Sequence, residues 1–205
     1  MKISATHLTS ERNDRLLFSH LSFEVERGQI LQICGENGSG KTSLLKIITG
    51  LSQPDEGMVF WNDKTIDGCR EEYVKQFNYL GHKNGVTLGL TVLENLQWFM
   101  KLNGIQSSND LSELLKQSHL FQYRDVLAQY LSAGQLRRLA ILKLLICKRP
   151  LWILDEPLTS LDADGVSWVK ELFIRHVKND GLIILTCHQG FQDFPLTIHR
   201  LMLNS

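Results

Sequence analysis

Apolar residues along this chain switch between two periods, and each switch marks an element boundary. Residues 3–8, residues 21–26 and Ile30–Cys34 are short apolar-rich runs with polar turns between them, which predicts three strands. The run at 41–49 has helical spacing and stops near Gly50, a residue suited to the left-handed position after a helix. Pro54, Asp55, Glu56 and Gly57 make a turn, and another short strand is expected at 58–61. Over 91–125 the pattern is mostly helical. Leu93, Leu96, Trp98, Phe99 and Leu102 supply an apolar stripe there, and Thr91 and Glu94 have capping-box spacing. A further helix follows Leu131 and ends before Pro150. A strand at 151–154, a helix near 165–178 and a strand at Leu182–Thr186 complete the series. Strand, helix, strand, helix, strand is the order that a mostly parallel sheet needs, so the chain is read as one α/β domain over 1–205.

Length and composition narrow this picture. A chain of 205 residues is long enough to bury a substantial core. Its 22 Lys and Arg balance its 22 Asp and Glu, which argues against wholesale nucleic-acid binding through a basic surface. Cys34, Cys69, Cys147 and Cys187 show no C-x-x-C pairing. Three of them lie in apolar runs and read as buried small hydrophobes in a reducing compartment. Residues 1–14 are polar and mixed, unlike a secretory leader. The longest apolar run, 139–147, is interrupted by Lys143 and is far short of the ~20 residues a membrane span needs. The chain therefore reads as soluble, with any membrane role reached through a partner.

The chemistry concentrates at four places. Gly35, Glu36, Asn37, Gly38, Ser39, Gly40, Lys41 and Thr42 match the phosphate-cradling loop G-x-x-x-x-G-K-[ST], set between a strand and a helix as that motif requires. The glycines let successive backbone N–H groups turn toward an anion, and the helix start adds partial positive charge. Lys41 is expected to reach the β- and γ-phosphates of a nucleoside triphosphate, and the Thr42 hydroxyl to hold Mg²⁺. The apolar strand at 151–154 runs into Asp155 and Glu156; the first suits Mg²⁺ coordination and the second can polarise an attacking water. Ser132 and Gln135 have capping-box spacing, so a second helix start, carrying Gly134, is a further anion-binding end. One chain needs only one phosphate cradle, so this second end points to the nucleotide of a second subunit; a plain N-cap accounts for the same residues.

Taken together, Ser132, Ala133, Gly134 and Gln135 resemble the LSGGQ signature of the ATP-binding-cassette (ABC) ATPases, with Ala in place of the first Gly. The order of parts is similar over nearly the whole chain: phosphate loop, signature, Asp155 and Glu156, then Ser160, Leu161 and Asp162 like the D-loop, and His188 like the switch histidine. The resemblance implies a P-loop NTPase fold with a parallel-sheet core, an antiparallel β subdomain and a helical signature subdomain at approximately 85–140. It implies a head-to-tail homodimer with two MgATP sandwiched between one copy's phosphate loop and the other's signature. Glu156 would be the catalytic carboxylate and His188 would contact the γ-phosphate. Two positions depart from the family pattern. The usual adenine-stacking aromatic falls near Arg12, whose guanidinium can stack on a base or stand as a surface charge. The usual Q-loop glutamine falls at His82, and imidazole is not an equivalent Mg²⁺ ligand there.

The stretches 11–18, 79–82, 90–96, 131–138 and 186–189 together resemble the CcmA family, the ATP-binding subunits of the haem exporter in bacterial cytochrome c maturation. That resemblance implies integral membrane subunits as partners and a peripheral place on the cytoplasmic face of the bacterial inner membrane. No Cys-x-x-Cys-His occurs and the histidines form no ligand pattern, so direct haem binding is not expected. The segment 91–103 is the expected docking surface for a membrane subunit, with one of Trp98, Phe99 and Met100 exposed; the alternative is that these residues fill the helical subdomain's own core. The rival readings are another exporter's ATPase, a non-transport ABC protein and a nucleotide-dependent scaffold without turnover.

Overall fold

The structure, a computed structural model, describes residues 1–106, 111–187, 191 and 194–203. Strands β1 (Lys2–Arg12) and β2 (Arg15–Glu26) form a hairpin whose two turn residues, Asn13 and Asp14, have φ of 52° and 58°. Both central residues of such a two-residue turn must be left-handed, and Asn and Asp tolerate that region best among residues with a Cβ. The same Asn-Asp pair, Asn62 and Asp63, turns β4 (Glu56–Trp61) into β5 (Lys64–Thr65). These strands make an antiparallel sheet in the order β2-β1-β4-β5. The hairpin strands run longer than the apolar pattern implied, because their outer faces are polar and exposed.

The second sheet is parallel, in the order β6-β7-β8-β3-β9, from β6 (Phe77–Leu80), β7 (Leu151–Asp155), β8 (Leu182–Thr186), β3 (Ile30–Cys34) and β9 (Ile198–Met202). Every residue of β7 and β8 is buried, as expected for strands covered on both faces. Alternate residues supply two cores. Ile30, Trp152, Leu154, Ile183 and Leu185 pack toward α5 (Ala133–Ile146) and α6 (Ala163–Lys178). Leu31, Ile33, Ile153 and Ile184 pack toward α1 (Lys41–Ile48) and the antiparallel sheet, where α1 presents Leu44, Leu45, Ile47 and Ile48. Neither β6 nor β9 was expected from the pattern. β9 is an edge strand with exposed His199 and Arg200, and only its register with β3 reveals it.

Helical pattern over 91–125 breaks into separate pieces: α3 (Val92–Leu102), α4 (Leu111–Gln117) and short 3₁₀ turns at Phe121–Tyr123 and Ala128–Tyr130. The break after α3 falls at Asn103 and Gly104, whose φ of 69° is a left-handed helix stop. Thr91 and Glu94 form the full capping box. The short helix α2 (Arg70–Tyr73) lies between the two sheets in sequence, with Tyr73 buried against Trp61 and Phe77. Cys69 and Cys147 are buried, but Cys34 and Cys187, expected inside, are only half-buried, since each stands where a core strand emerges toward the phosphate loop end of the sheet. Among the described residues no helix is long and apolar enough to cross a membrane.

One buried titratable group sets a pH limit on this packing. The His176 ring stacks on Trp152, with centroids 3.9 Å apart and planes 15° from parallel, and its Nε2 lies 3.0 Å from the Pro150 carbonyl. Burial, opposed by backbone hydrogen bonds with Pro150 and Leu182, pushes this histidine from an ordinary 6.5 down to about 4. The folded state thus resists protonation that the unfolded chain accepts. The associated stability is present above pH 6.5 and is lost as the pH falls from there toward 4. Unfolding free energy, measured in urea, is expected to drop on the order of 2 kcal/mol more between pH 7 and 5 in the wild type than in His176→Gln. Equal pH dependence in the two proteins would show that His176 is already solvated.

Candidate functional site

β3 delivers the chain to the phosphate loop, and two glycines there admit no substitute. A Cβ at Gly35 would lie 2.5 Å from Ser39 Oγ and 3.1 Å from the Leu203 carbonyl; at Gly40 (φ 94°) it would meet Leu17 Cβ at 2.9 Å. Gly40 is also the N-cap of α1 and offers no side chain, so the first-turn N–H groups of that helix have no side-chain acceptor. Lys41 is buried, 8% exposed, and its Nζ donates to the carbonyls of Gly35 and Glu36 at 2.8 Å each. That uses two of three ammonium hydrogens. The buried hydroxyl of Ser39 has no hydrogen-bond partner. A loop with unused donors around a helix start is built for an anion with several acceptor oxygens.

β7 brings the acids to the same place. Asp155, 3% exposed, accepts from Thr42 Oγ1 at 2.9 Å through one carboxylate oxygen and from Thr186 Oγ1 at 2.7 Å through the other. The Glu156 N–H donates to the same Thr186 hydroxyl at 2.9 Å, and Thr159 Oγ1 approaches Glu156 Oε2 at 3.4 Å. Glu156 itself adopts φ 48°, uncommon for a residue with a Cβ and a mark of a backbone held by its surroundings. The Arg137 guanidinium reaches from α5 to donate to the carbonyls of Asp155 and Glu156. A cavity of about 340 Å³ gathers Arg12, Asn37, Gly38, Lys41, Thr42 and Glu156. Gly35, Glu36 and Ser39 do not line this cavity. Arg12 stands in this wall at the tip of the β1–β2 hairpin, exposed. Cationic and N–H donors at one end and a carboxylate at the other suit a polyphosphate chain with a water beside its last phosphorus.

The signature residues are elsewhere. Ser132 caps α5: its hydroxyl accepts from Gln135 N–H at 3.2 Å, and Gln135 Oε1 accepts from Ser132 N–H at 2.8 Å. Ser132, Gly134 and Gln135 line a second open cavity, about 520 Å³, together with Arg138, Ser160 and Asp162. Among the described residues, none lines both cavities. Gly134 is needed within the chain, because a Cβ there would sit 2.7 Å from the Ser160 carbonyl. Arg138 Nη2 donates to Asp162 Oδ1 at 2.6 Å, joining α5 to the 160–162 turn. The Gly165 N–H, with Arg138 adding to it, holds the Asp162 carboxyl below the usual carboxylate range. His188, expected beside the γ-phosphate, lies outside the described residues.

A third concavity, about 590 Å³, runs between α1 and the helices and is lined by Thr42, Tyr79, His82, Asn84, Phe99 and Lys143. His82 is exposed in it, and Thr42 lines both this groove and the phosphate-loop cavity. Of the expected docking residues, Trp98 is 52% exposed, Phe99 is partly buried and Met100 is buried. Sequence reasoning overlooked Thr186 and Arg137. The first reads as the last apolar-facing residue of a strand. The second sits in a helix buried almost all round, where an arginine has no periodic signature; its place beside Arg138, directly after the capping box, was the available clue.

Comparison with known proteins agrees with this geometry. A family model described as "ABC transporter" matches residues 18–159. The chain is 45% identical to the cytochrome c biogenesis ATP-binding export protein CcmA of Colwellia psychrerythraea, over 91% of this chain and 85% of the relative. To the protein of that name in Yersinia pestis it is 44% identical, over 98% and 92% of the two chains. Among solved structures, it superposes on the ATP-binding subunit of an ABC transporter with a TM-score of 0.81 at 24% identity, covering 92% of this chain and 80% of that one. A putative ABC transporter ATP-binding protein from Pyrococcus furiosus gives 0.84 at 20% identity, covering 99% and 98%. At such identities these two likenesses speak for the fold.

Proposed function

This chain belongs to the ABC transporter family as a CcmA-like ATP-binding subunit, an ATPase coupled to transport that works with membrane subunits, and from that premise we propose that it drives the haem export or delivery step of cytochrome c maturation. Two copies associate head to tail at the cytoplasmic face of the bacterial inner membrane, and each MgATP is gripped by one copy's phosphate loop and the other's signature. The observation that carries this reading is the separation of the two half-sites: an open cavity with Lys41 suited to polyphosphate, and a distinct open cavity at the Ser132-capped helix start, with no described residue in common. Each half lacks what the other presents.

In the closed dimer the Lys41 ammonium turns from its loop carbonyls to the β- and γ-phosphate oxygens, and the N–H groups of the loop and of α1 hold the rest of the chain of phosphates. Thr42 Oγ1 and Asp155 Oδ2, 2.9 Å apart, are hard oxygen donors that fit Mg²⁺. When bound, Mg²⁺ neutralises charge on the β- and γ-phosphates. Glu156 accepts the proton of the attacking water as its oxygen bonds to the γ-phosphorus and the bond to the ADP oxygen breaks. His188 stabilises the γ-phosphate. Arg12 stacks on the base. Ser132, Gly134 and Gln135 complete the γ-phosphate's shell from the partner copy. Haem and nucleic acid do not touch this subunit; the membrane subunits dock beside Trp98 and the groove at His82.

Affinity purification of the tagged chain from detergent-solubilised membranes is expected to recover integral membrane subunits, and recovery of none would overturn the transport reading. Within the dimer, Ser132→Glu sets a carboxylate against the partner's γ-phosphate. It should abolish ATP-driven dimerisation while leaving the monomer folded by circular dichroism. Unimpaired dimerisation would show that the signature does not face nucleotide.

A further inference from the structure

We infer that Arg137 is a positioning residue that sets the orientation of Glu156 and ties it mechanically to the groove around His82. The inference rests on the proposed role of Glu156. Arg137 is 4% exposed and, among the described residues, pairs with no carboxylate in a salt bridge. Its planar fork is spent on backbone oxygens. Nη2 donates to the carbonyls of Asp155 at 2.6 Å and Glu156 at 2.8 Å, and Nε donates to Pro157 at 3.3 Å. Nη1 donates to the Gly81 carbonyl at 3.2 Å and to Asn84 Oδ1 at 3.0 Å.

Carbonyls of three consecutive residues thus converge on one cation. The chain turns there through Glu156, whose left-handed φ of 48° costs about 1–2 kcal/mol and persists only where contacts hold it. A lysine, a point donor on a flexible stem, could not span the same five acceptors. On its other side the fork holds Gly81 and Asn84, which flank His82 in the wall of the third groove. A partner that presses on that wall moves the same rigid plane that fixes the Glu156 backbone. The linkage between these two segments lies within one residue rather than along a chain of contacts.

The test is steady-state and single-turnover ATP hydrolysis by Arg137→Lys and Arg137→Met, with nucleotide affinity read separately by a fluorescent ATP analogue. Turnover is expected to fall roughly 10-fold in the lysine variant and roughly 10²-fold in the methionine variant, the scale of a misplacement near 1 Å, with nucleotide affinity within threefold of wild type. Asn84→Ala, which releases one arm of the fork and touches neither acid, should lower turnover by a few-fold with the same split. In a Glu156→Gln background, Arg137→Lys should slow hydrolysis no further. Wild-type turnover in Arg137→Lys, a parallel loss of affinity and melting temperature, or a full additional loss on top of Glu156→Gln would each overturn the inference. Wild-type turnover by Glu156→Gln alone would instead remove the proposed catalytic carboxylate.

Discussion

Replacing Glu156 with glutamine is expected to lower ATP hydrolysis by roughly 10²–10⁴, the size of a lost general base and equivalent to about 3–5 kcal/mol of barrier. The amide matches the carboxylate in shape and cannot accept the water's proton. Its position should not change. The residue's N–H is held by the Thr186 hydroxyl and its carbonyl by Arg137, and both contacts are to backbone. Nucleotide affinity should be retained, since a negative charge next to the γ-phosphate is removed and no donor is lost. The variant is therefore expected to accumulate as an ATP-bound dimer, seen as an ATP-dependent shift in size-exclusion chromatography, while phosphate release nearly stops. Hydrolysis at the wild-type rate would take Glu156 out of the mechanism.

Lys41→Ala should act one step earlier, on binding. Its ammonium is buried within the cradle and already oriented by Gly35 and Glu36, so it meets the phosphates without ordering a free side chain. Loss of one or two charge-assisted hydrogen bonds, worth about 1.5–3 kcal/mol each, should weaken ATP by roughly 10²-fold or more. Isothermal titration with a non-hydrolysable analogue measures this directly. ADP should weaken less, because only the β-phosphate contact is removed. Unchanged ATP affinity would contradict the role given to Lys41, and equal losses for ATP and ADP would show that it does not reach the γ-phosphate. The two variants separate cleanly: one binds without turning over, the other fails to bind.

Much of the site was written in local sequence. The glycine loop, its strand and its helix are fixed by residues 35–42 acting on their own backbone, and so is the capping box of Ser132 and Gln135. Continuous apolar runs located β3, β7 and β8, helical spacing located α1 and α6, and the capping box located α5, because burial and capping leave their pattern on neighbouring residues. Where the stripe is weak the reading fell short. β9 escaped notice because an edge strand with exposed His199 and Arg200 has no apolar alternation, and α3 was run into α4 because Asn103 and Gly104 interrupt the backbone without interrupting the stripe.

Local sequence therefore carries the available chemistry and the elements that hold it: a phosphate cradle, a pair of acids at a strand end, and a capped helix start. Tertiary structure alone decided how these meet. It placed Thr186 between Asp155 and the Glu156 backbone, set Gly134 under the Ser160 carbonyl, and kept the signature cavity apart from the phosphate loop of its own chain. It also turned Arg137, one polar residue in a buried helix, into the clasp between the acids and the groove. The reason is physical. Turn chemistry and periodicity act over a few residues and leave a mark in each, whereas a hydrogen bond between residues far apart in the chain leaves none until the sheet and helices have packed.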